Sequence, residues 1–184
     1  MKTLSFLMAF AAIVAAGESA GAHSLSPEKA LVVYFSHSGN TRTLAGQIAR
    51  AAHADLLEIV PEKPYPTVYN EVTDQAEKEI EAGYRPALAT KIPDVSAYDV
   101  VFVGSPCWWG TIAPPVAAFL ASCDLTGKTV APFMTHEGSR MGRSAADIRE
   151  LCPKSALTEG LSVRGSAVSG AVAEVEKWLK KIGK

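Results

Sequence analysis

Ser36, Ser38 and Thr41 place three hydroxyls within six residues, S-H-S-G-N-T, with His37, Gly39 and Asn40 between them. Hydroxyls and backbone N–H groups are neutral donors to an oxyanion, and a helix that starts at such a segment adds the positive end of its dipole. Residues 36–41 therefore read as a phosphate-binding loop that needs no lysine or arginine. Gly39 lets the backbone turn closely around the ligand. Other phosphate loops fail on the same residues. Neither G-x-x-x-x-G-K-[ST] nor G-x-G-x-x-G occurs, which removes the signatures of a P-loop nucleotidase and a dinucleotide dehydrogenase. A receiver domain needs acidic residues where this strand ends in Ser36-His37-Ser38. Helix capping alone would need one hydroxyl rather than three with a glycine and an asparagine.

Two further segments carry candidate chemistry. The first, G-S-P-C-W-W-G-T, contains Pro106, Cys107, Trp108, Trp109 and Gly110. Its tryptophans supply flat apolar area for a planar ligand. Adjacent side chains of an extended segment point oppositely, so one stacks and the other belongs to the core; which does which stays open. Cys107 has no second cysteine nearby to resolve a redox cycle and reads as a loop residue. The second segment, T-H-E-G-S, runs from Thr135 through His136, Glu137 and Gly138 to Ser139. His136 is a candidate acid or base, with simple solvation as the default for one exposed histidine. His37 is expected in solvent. Tyr65, Tyr69 and Tyr84 either roof the ligand or pack the chain between strands, packing being the default.

These segments must be placed by alternating strands and helices. Continuous apolar runs at 30–35 and 100–103 are expected of strands covered on both faces, with further strands at 56–60, 128–134 and 157–163. Helical spacing marks 44–54, then 67–82 with Tyr69, Val72, Ala76 and Ile80 inside, 114–123 behind Pro114-Pro115, 142–151, and 172–182. Five alternating pairs predict an α/β fold, a doubly wound parallel sheet of order 2-1-3-4-5 with right-handed crossovers and helices on both faces. Ligands in such a sheet bind beyond the carboxyl ends of strands one and three, where these loops lie.

With Y-F-S-H-S-G-N-T, Y-D-V-V-F-V-G-S-P-C-W-W-G-T and F-M-T-H-E-G-S in this order, the chain from about Ala30 to its end resembles the flavodoxin-like family, in its small bacterial flavodoxin branch. The resemblance implies non-covalent FMN. It puts the phosphate at Ser36, Ser38, Asn40 and Thr41 and the isoalloxazine ring against Pro106, Cys107, Trp108 and Trp109. Backbone bonds to the ring's pyrimidine edge are expected from residues 135–139. Glu137, close to such a ring, would disfavour its anionic reduced form and lower its potential. Two functions follow, an electron carrier serving redox partner proteins and a flavin reductase passing hydride from NAD(P)H to small acceptors such as quinones. A third is a flavin-binding protein without redox turnover. No nicotinamide motif decides between them.

The chain has 184 residues, 48% of them hydrophobic, and a formal net charge of -1. That suits one domain and gives no field drawing it to nucleic acid or an anionic membrane. Lys2, an apolar run over 4–16 and the small residues Ala20-Gly21-Ala22 read as a secretory signal peptide, 1–22, cleaved after Ala22. A linker over 23–29 then leads to the domain at 30–184. The run is too short to anchor the chain in a bilayer. A periplasmic or extracellular location is expected, with FMN acquired there because an unfolded exported chain carries no cofactor. Monomer and homodimer both stay open. Of three cysteines, Cys123 and Cys152 fall near predicted helix ends. They either bridge or remain buried thiols, the latter being the default.

Overall fold

A computed structural model describes residues 28–184; the expected signal peptide, and the linker up to residue 27, lie outside the described residues. Strands β1 (Ala30–Tyr34), β2 (Asp55–Glu58), β3 (Val100–Trp108) and β5 (Thr129–His136) are joined by helices α1 (Asn40–Ala51), α2 (Tyr69–Glu81) and α3 (Pro114–Ser122). Helix α4 (Ser144–Leu151) leads to a broken edge, β6 (Ala156–Leu157) and β7 (Leu161–Arg164), and α5 (Val172–Lys181) closes the chain. The order is β2-β1-β3-β5-β6, with β7 also on β5 and every one of these pairings parallel. This is the expected doubly wound order, with the fifth strand in two pieces.

The uninterrupted apolar runs are explained by burial on both faces. Along β1, Leu31 and Val33 face one core while Val32 and Tyr34 face the other. Helices α2, α3 and α4 cover the first face with Val72, Phe119 and Ile148; α1 and α5 cover the second with Leu44, Ile48, Trp178 and Leu179. Each large apolar side chain buried this way contributes roughly 1.5–3 kcal/mol.

Two departures from the sequence expectation have local causes. Strand β3 does not stop at residue 103 but runs to Trp108 and folds back as β4 (Thr111–Ile112), so the expected second loop is a β-hairpin. The edge strand breaks at 158–160 because three residues there face only Ala131 and Pro132. Val130 pairs with Leu157 and Phe133 with Leu161, a one-residue bulge. Pro132 has no N–H for the ladder at that point. The bulge is held from outside the sheet, where the Glu159 carbonyl accepts from Trp178 Nε1 (2.9 Å) and its carboxylate meets Lys181 Nζ (2.7 Å).

The three cysteines are free, Cys152 buried and Cys107 and Cys123 half-buried. No described helix is long and apolar enough to cross a membrane.

Gly104 leaves room for the Phe133 ring to lie across β3, since a Cβ there would lie 2.1 Å from that ring. Gly104→Ala is expected to lower stability in urea unfolding by roughly 1–3 kcal/mol. Adding Phe133→Leu should restore part of that loss, whereas an unchanged unfolding midpoint for Gly104→Ala would contradict this packing.

Candidate functional site

Helix α1 starts inside the S-H-S-G-N-T segment, at Asn40, and its first turn is left open. Gly39 precedes it in a left-handed conformation (φ 93°), with no side chain capping the helix and no acidic residue in the first turn. An added Cβ at Gly39 would meet nothing within 4 Å, so backbone conformation rather than space selects glycine. Ser36 Oγ is occupied in shaping the turn, accepting from Gly39 N (3.1 Å). Thr41 is fully buried and its hydroxyl bonds that of Thr135 (2.8 Å), tying the first segment to the third. Ser38 and Asn40 line the cavity, and Thr41 lies behind its wall. Arg42, the one cation of the first turn, turns away to Glu58 (2.5 Å). The capping alternative does not describe this helix end, and its unpaired N–H groups fit an anion supplied from outside.

This helix end opens into a cavity of about 820 Å³. His37, Ser38 and Asn40 line it from the first segment and Pro106, Cys107, Trp108, Trp109 and Gly110 from the hairpin. Thr135, His136, Glu137, Gly138 and Ser139 line it from the end of β5. Thr67 and the α2 residues Tyr69, Val72, Thr73 and Ala76 close the remaining side. The volume lies within the usual range for small-molecule sites. Ser36, Gly39 and Thr41 shape the site from behind its wall. Among the described residues no cluster of His, Cys, Asp or Glu could hold a metal ion.

The hairpin answers which tryptophan does what. Trp108 packs edge-on against Tyr65 (5.0 Å between centroids), Phe35 (5.5 Å) and His37 (5.8 Å), and so is bound into the aromatic core while still reaching the cavity. Trp109 is 54% exposed. It and Gly110 form the two-residue turn, both with positive φ (49° and 76°), the geometry that asparagine and glycine normally supply. A tryptophan held there is strained, and its indole is fixed by donating Nε1–H to the Thr73 carbonyl of α2 (3.0 Å). On the other side the Gly110 carbonyl accepts from Arg143 N (2.7 Å), and Thr111 donates to Asp147, itself paired with Arg143. Gly142, at φ 51°, packs so tightly on Gly110 that a Cβ would fall 2.1 Å from its carbonyl oxygen.

His37 is exposed, yet its Nε2–H donates to the Pro66 carbonyl (2.8 Å), clasping the chain after β2 to the first segment. Tyr65 is buried and donates to Glu79, so it packs the connection; Tyr69 lines the cavity, and Tyr84 stands outside it. His136 Nδ1 is buried without a partner. Burial lowers the His136 pKa, nearby Glu137 opposes that, and Arg140 and Arg164 lower it further, which leaves the ring neutral near pH 7. A neutral imidazole with an unpaired nitrogen can bond the edge of a heterocycle. Glu137 is the one carboxylate on the lining and is offset by Arg164 (3.8 Å), which weakens its expected influence on a bound ring.

Sequence reasoning missed two contributors. One is the α2 face beyond Tyr69, through Val72, Thr73 and Ala76, whose inner stripe is visible from periodicity although what it faces is not. The other is Gly165, where a Cβ would lie 2.2 Å from the Glu137 carboxylate and 2.5 Å from the Asn40 amide. That bare backbone lets the first and third segments meet.

A family model described as Flavodoxin matches residues 29–182, and the chain belongs to that family. A candidate flavoprotein of known structure from Bacteroides eggerthii is 32% identical, covering 85% of this chain and 99% of its own, with a TM-score of 0.72. The structure of a flavoprotein in complex with FMN from Lactobacillus acidophilus is 26% identical over 82% of this chain and 98% of its own, TM-score 0.67. An NAD(P)H dehydrogenase (quinone) from Azorhizobium caulinodans is 33% identical over 92 residues. That match spans 50% of this chain and 45% of the relative.

The neutral state of His136 has a measurable sign. With its folded pKa below the ordinary 6.5, the unfolded chain binds more protons in that window. Stability should fall as pH drops through about 6.5 toward the lowered value. His136→Gln should flatten that part of a urea-midpoint profile; the same slope in the variant would contradict the assignment.

Proposed function

We propose that the protein binds FMN and moves electrons through it. The single observation that carries this reading is one cavity joining an uncapped helix N-terminus to a tryptophan-bearing hairpin. Ser38, Asn40 and the N–H groups of residues 40–42 would hold the phosphate, and the wall from Pro106 to Gly110 would face the ring. The end of β5, with the unpaired His136 Nδ1, suits the ring's polar edge. Bound FMN supplies one- and two-electron chemistry; the chain orients it, limits water and sets its electrostatic surroundings. Family membership and the FMN complex of the Lactobacillus relative support the same cofactor.

A reductase for small acceptors is the second reading, favoured by the extension of the cavity along Val72, Thr73 and Ala76 with Tyr69 at its side. A wall carrying Val72 and Ala76 opposite the three loops suits a planar acceptor such as a quinone, and the Azorhizobium relative carries that activity in its name. A carrier would instead present the ring's edge to a redox protein.

We also propose that residues 1–22 direct export and are removed, so that the domain acquires FMN in the periplasm or outside the cell. The charged start, short apolar run and small residues before His23 support this. N-terminal sequencing of protein recovered outside the cytoplasm should begin at His23; an intact Met1 there would contradict it.

FMN added to the purified apoprotein should give a yellow complex with quenched flavin fluorescence. Ser38→Asp, which puts a carboxylate at the open helix end, should weaken FMN roughly tenfold or more and leave riboflavin binding unchanged. Bleaching by NADH or NADPH with quinone turnover assigns the reductase; a complex inert to both that still exchanges electrons with a redox protein assigns the carrier, and one that does neither assigns flavin binding without turnover. A protein that takes up no FMN would overturn both.

A further inference from the structure

Cys123 and Cys152 take equivalent places in the fold, each the residue just past the end of its helix, α3 and α4. Both have left the helical conformation, with φ -118° and -128°. The two turns that follow run side by side, joined by Gly127 N to the Lys154 carbonyl (2.9 Å) and by Ala156 N to the Lys128 carbonyl (2.9 Å). Between them lies a cavity of about 80 Å³ walled by both cysteines with Leu125, Leu151, Pro153 and Ser155. That cleft opens to solvent beside the exposed Pro153 and Lys154, and both cysteines face it, so a covalent bond between them would bridge it.

We propose that Cys123 and Cys152 are a disulfide site that staples the end of α3 to the end of α4. The site lies at the amino edge of the sheet, just ahead of β5 and β6, whereas Cys107 lies at the carboxyl edge on the ligand cavity. The staple therefore leaves the ligand site and its thiol untouched, and it stands whether or not FMN is the ligand.

The chemistry is thiol–disulfide exchange. The half-buried Cys123 thiolate attacks a sulfur of an oxidant disulfide, forming a mixed disulfide and releasing one thiol. The Cys152 thiolate then displaces the second. In all, two thiols lose two protons and two electrons, and the oxidant disulfide becomes two thiols. Burial raises the pKa of both cysteines, Cys152 to about 11 with Cys123 adding to the rise. Few thiolates form at neutral pH, so the reaction calls for a thiol oxidase whose own leaving thiol is acidic. Such oxidants belong to the compartments to which exported chains are sent.

The test uses the purified full chain in a glutathione redox buffer with a catalytic dithiol–disulfide oxidoreductase, followed by denaturation, alkylation and peptide mass analysis. One alkylated cysteine, Cys107, and a Cys123–Cys152 cross-linked peptide are expected, with all three alkylated after reduction. Oxidation should also raise the thermal midpoint by several degrees, a rise that Cys123→Ser and Cys152→Ser each abolish. Should either variant fold poorly, the oxidised and reduced wild-type proteins give the comparison unaided. Three alkylated cysteines in the oxidising buffer, glutathione capping without a bridge, or a bridge to Cys107 would overturn the proposal.

Discussion

Helix α1 begins at Asn40 with nothing over its first turn, and the carboxyl edge of the sheet is arranged around that open end. Backbone N–H groups left unpaired at a helix start are a local deficit of bonding and a concentration of positive partial charge. The nearby groups that might relieve it are engaged elsewhere. Ser36 serves the turn and Thr41 reaches across to Thr135. A carboxylate from the chain is absent from the first turn as well. An external anion is what this end suits, and its position is set by β1, whose pairing with β2 on one side and β3 on the other places it at the switch point of the sheet.

The aromatic wall depends on the same placement. β3 outruns its neighbour β1 and turns back at Trp109-Gly110, which puts two indoles beside the open helix. A strained tryptophan in a turn that glycine or asparagine would fill more easily has a local stability cost. It persists because the turn is gripped on both sides, through Gly110 by the start of α4 and through the indole N–H by α2. Strain retained at a cavity wall is consistent with placement for binding rather than for folding.

Much of this was readable in the sequence because doubly buried strands leave continuous apolar runs. Residues 30–35 and 100–103 announce β1 and β3, and alternation with helices implies the strand order. The three segments that line the cavity were likewise visible as polar or aromatic breaks at strand ends. The hairpin was not, since Trp-Gly is not a turn pair that sequence marks, and β3 hides its extension inside the motif. The bulge at 158–160 depends on a proline in the neighbouring strand, which local pattern does not reveal. The inward turn of Thr41 depends on Thr135, ninety-four residues away. Bare backbone at Gly165 matters through Glu137 and Asn40, and such long-range steric needs leave no periodic trace.

FMN and riboflavin differ by the phosphate, so their relative affinity for the apoprotein, measured by calorimetry at low and high salt, isolates the helix end. Phosphate held by unpaired N–H groups and Ser38 should make FMN the tighter ligand by a factor on the order of a hundred. With no lysine or arginine on the cavity wall, salt should reduce that factor only in part, by screening the helix end. Equal affinity for the two ligands, or a preference that collapses as salt rises, would contradict a phosphate site built from the start of α1.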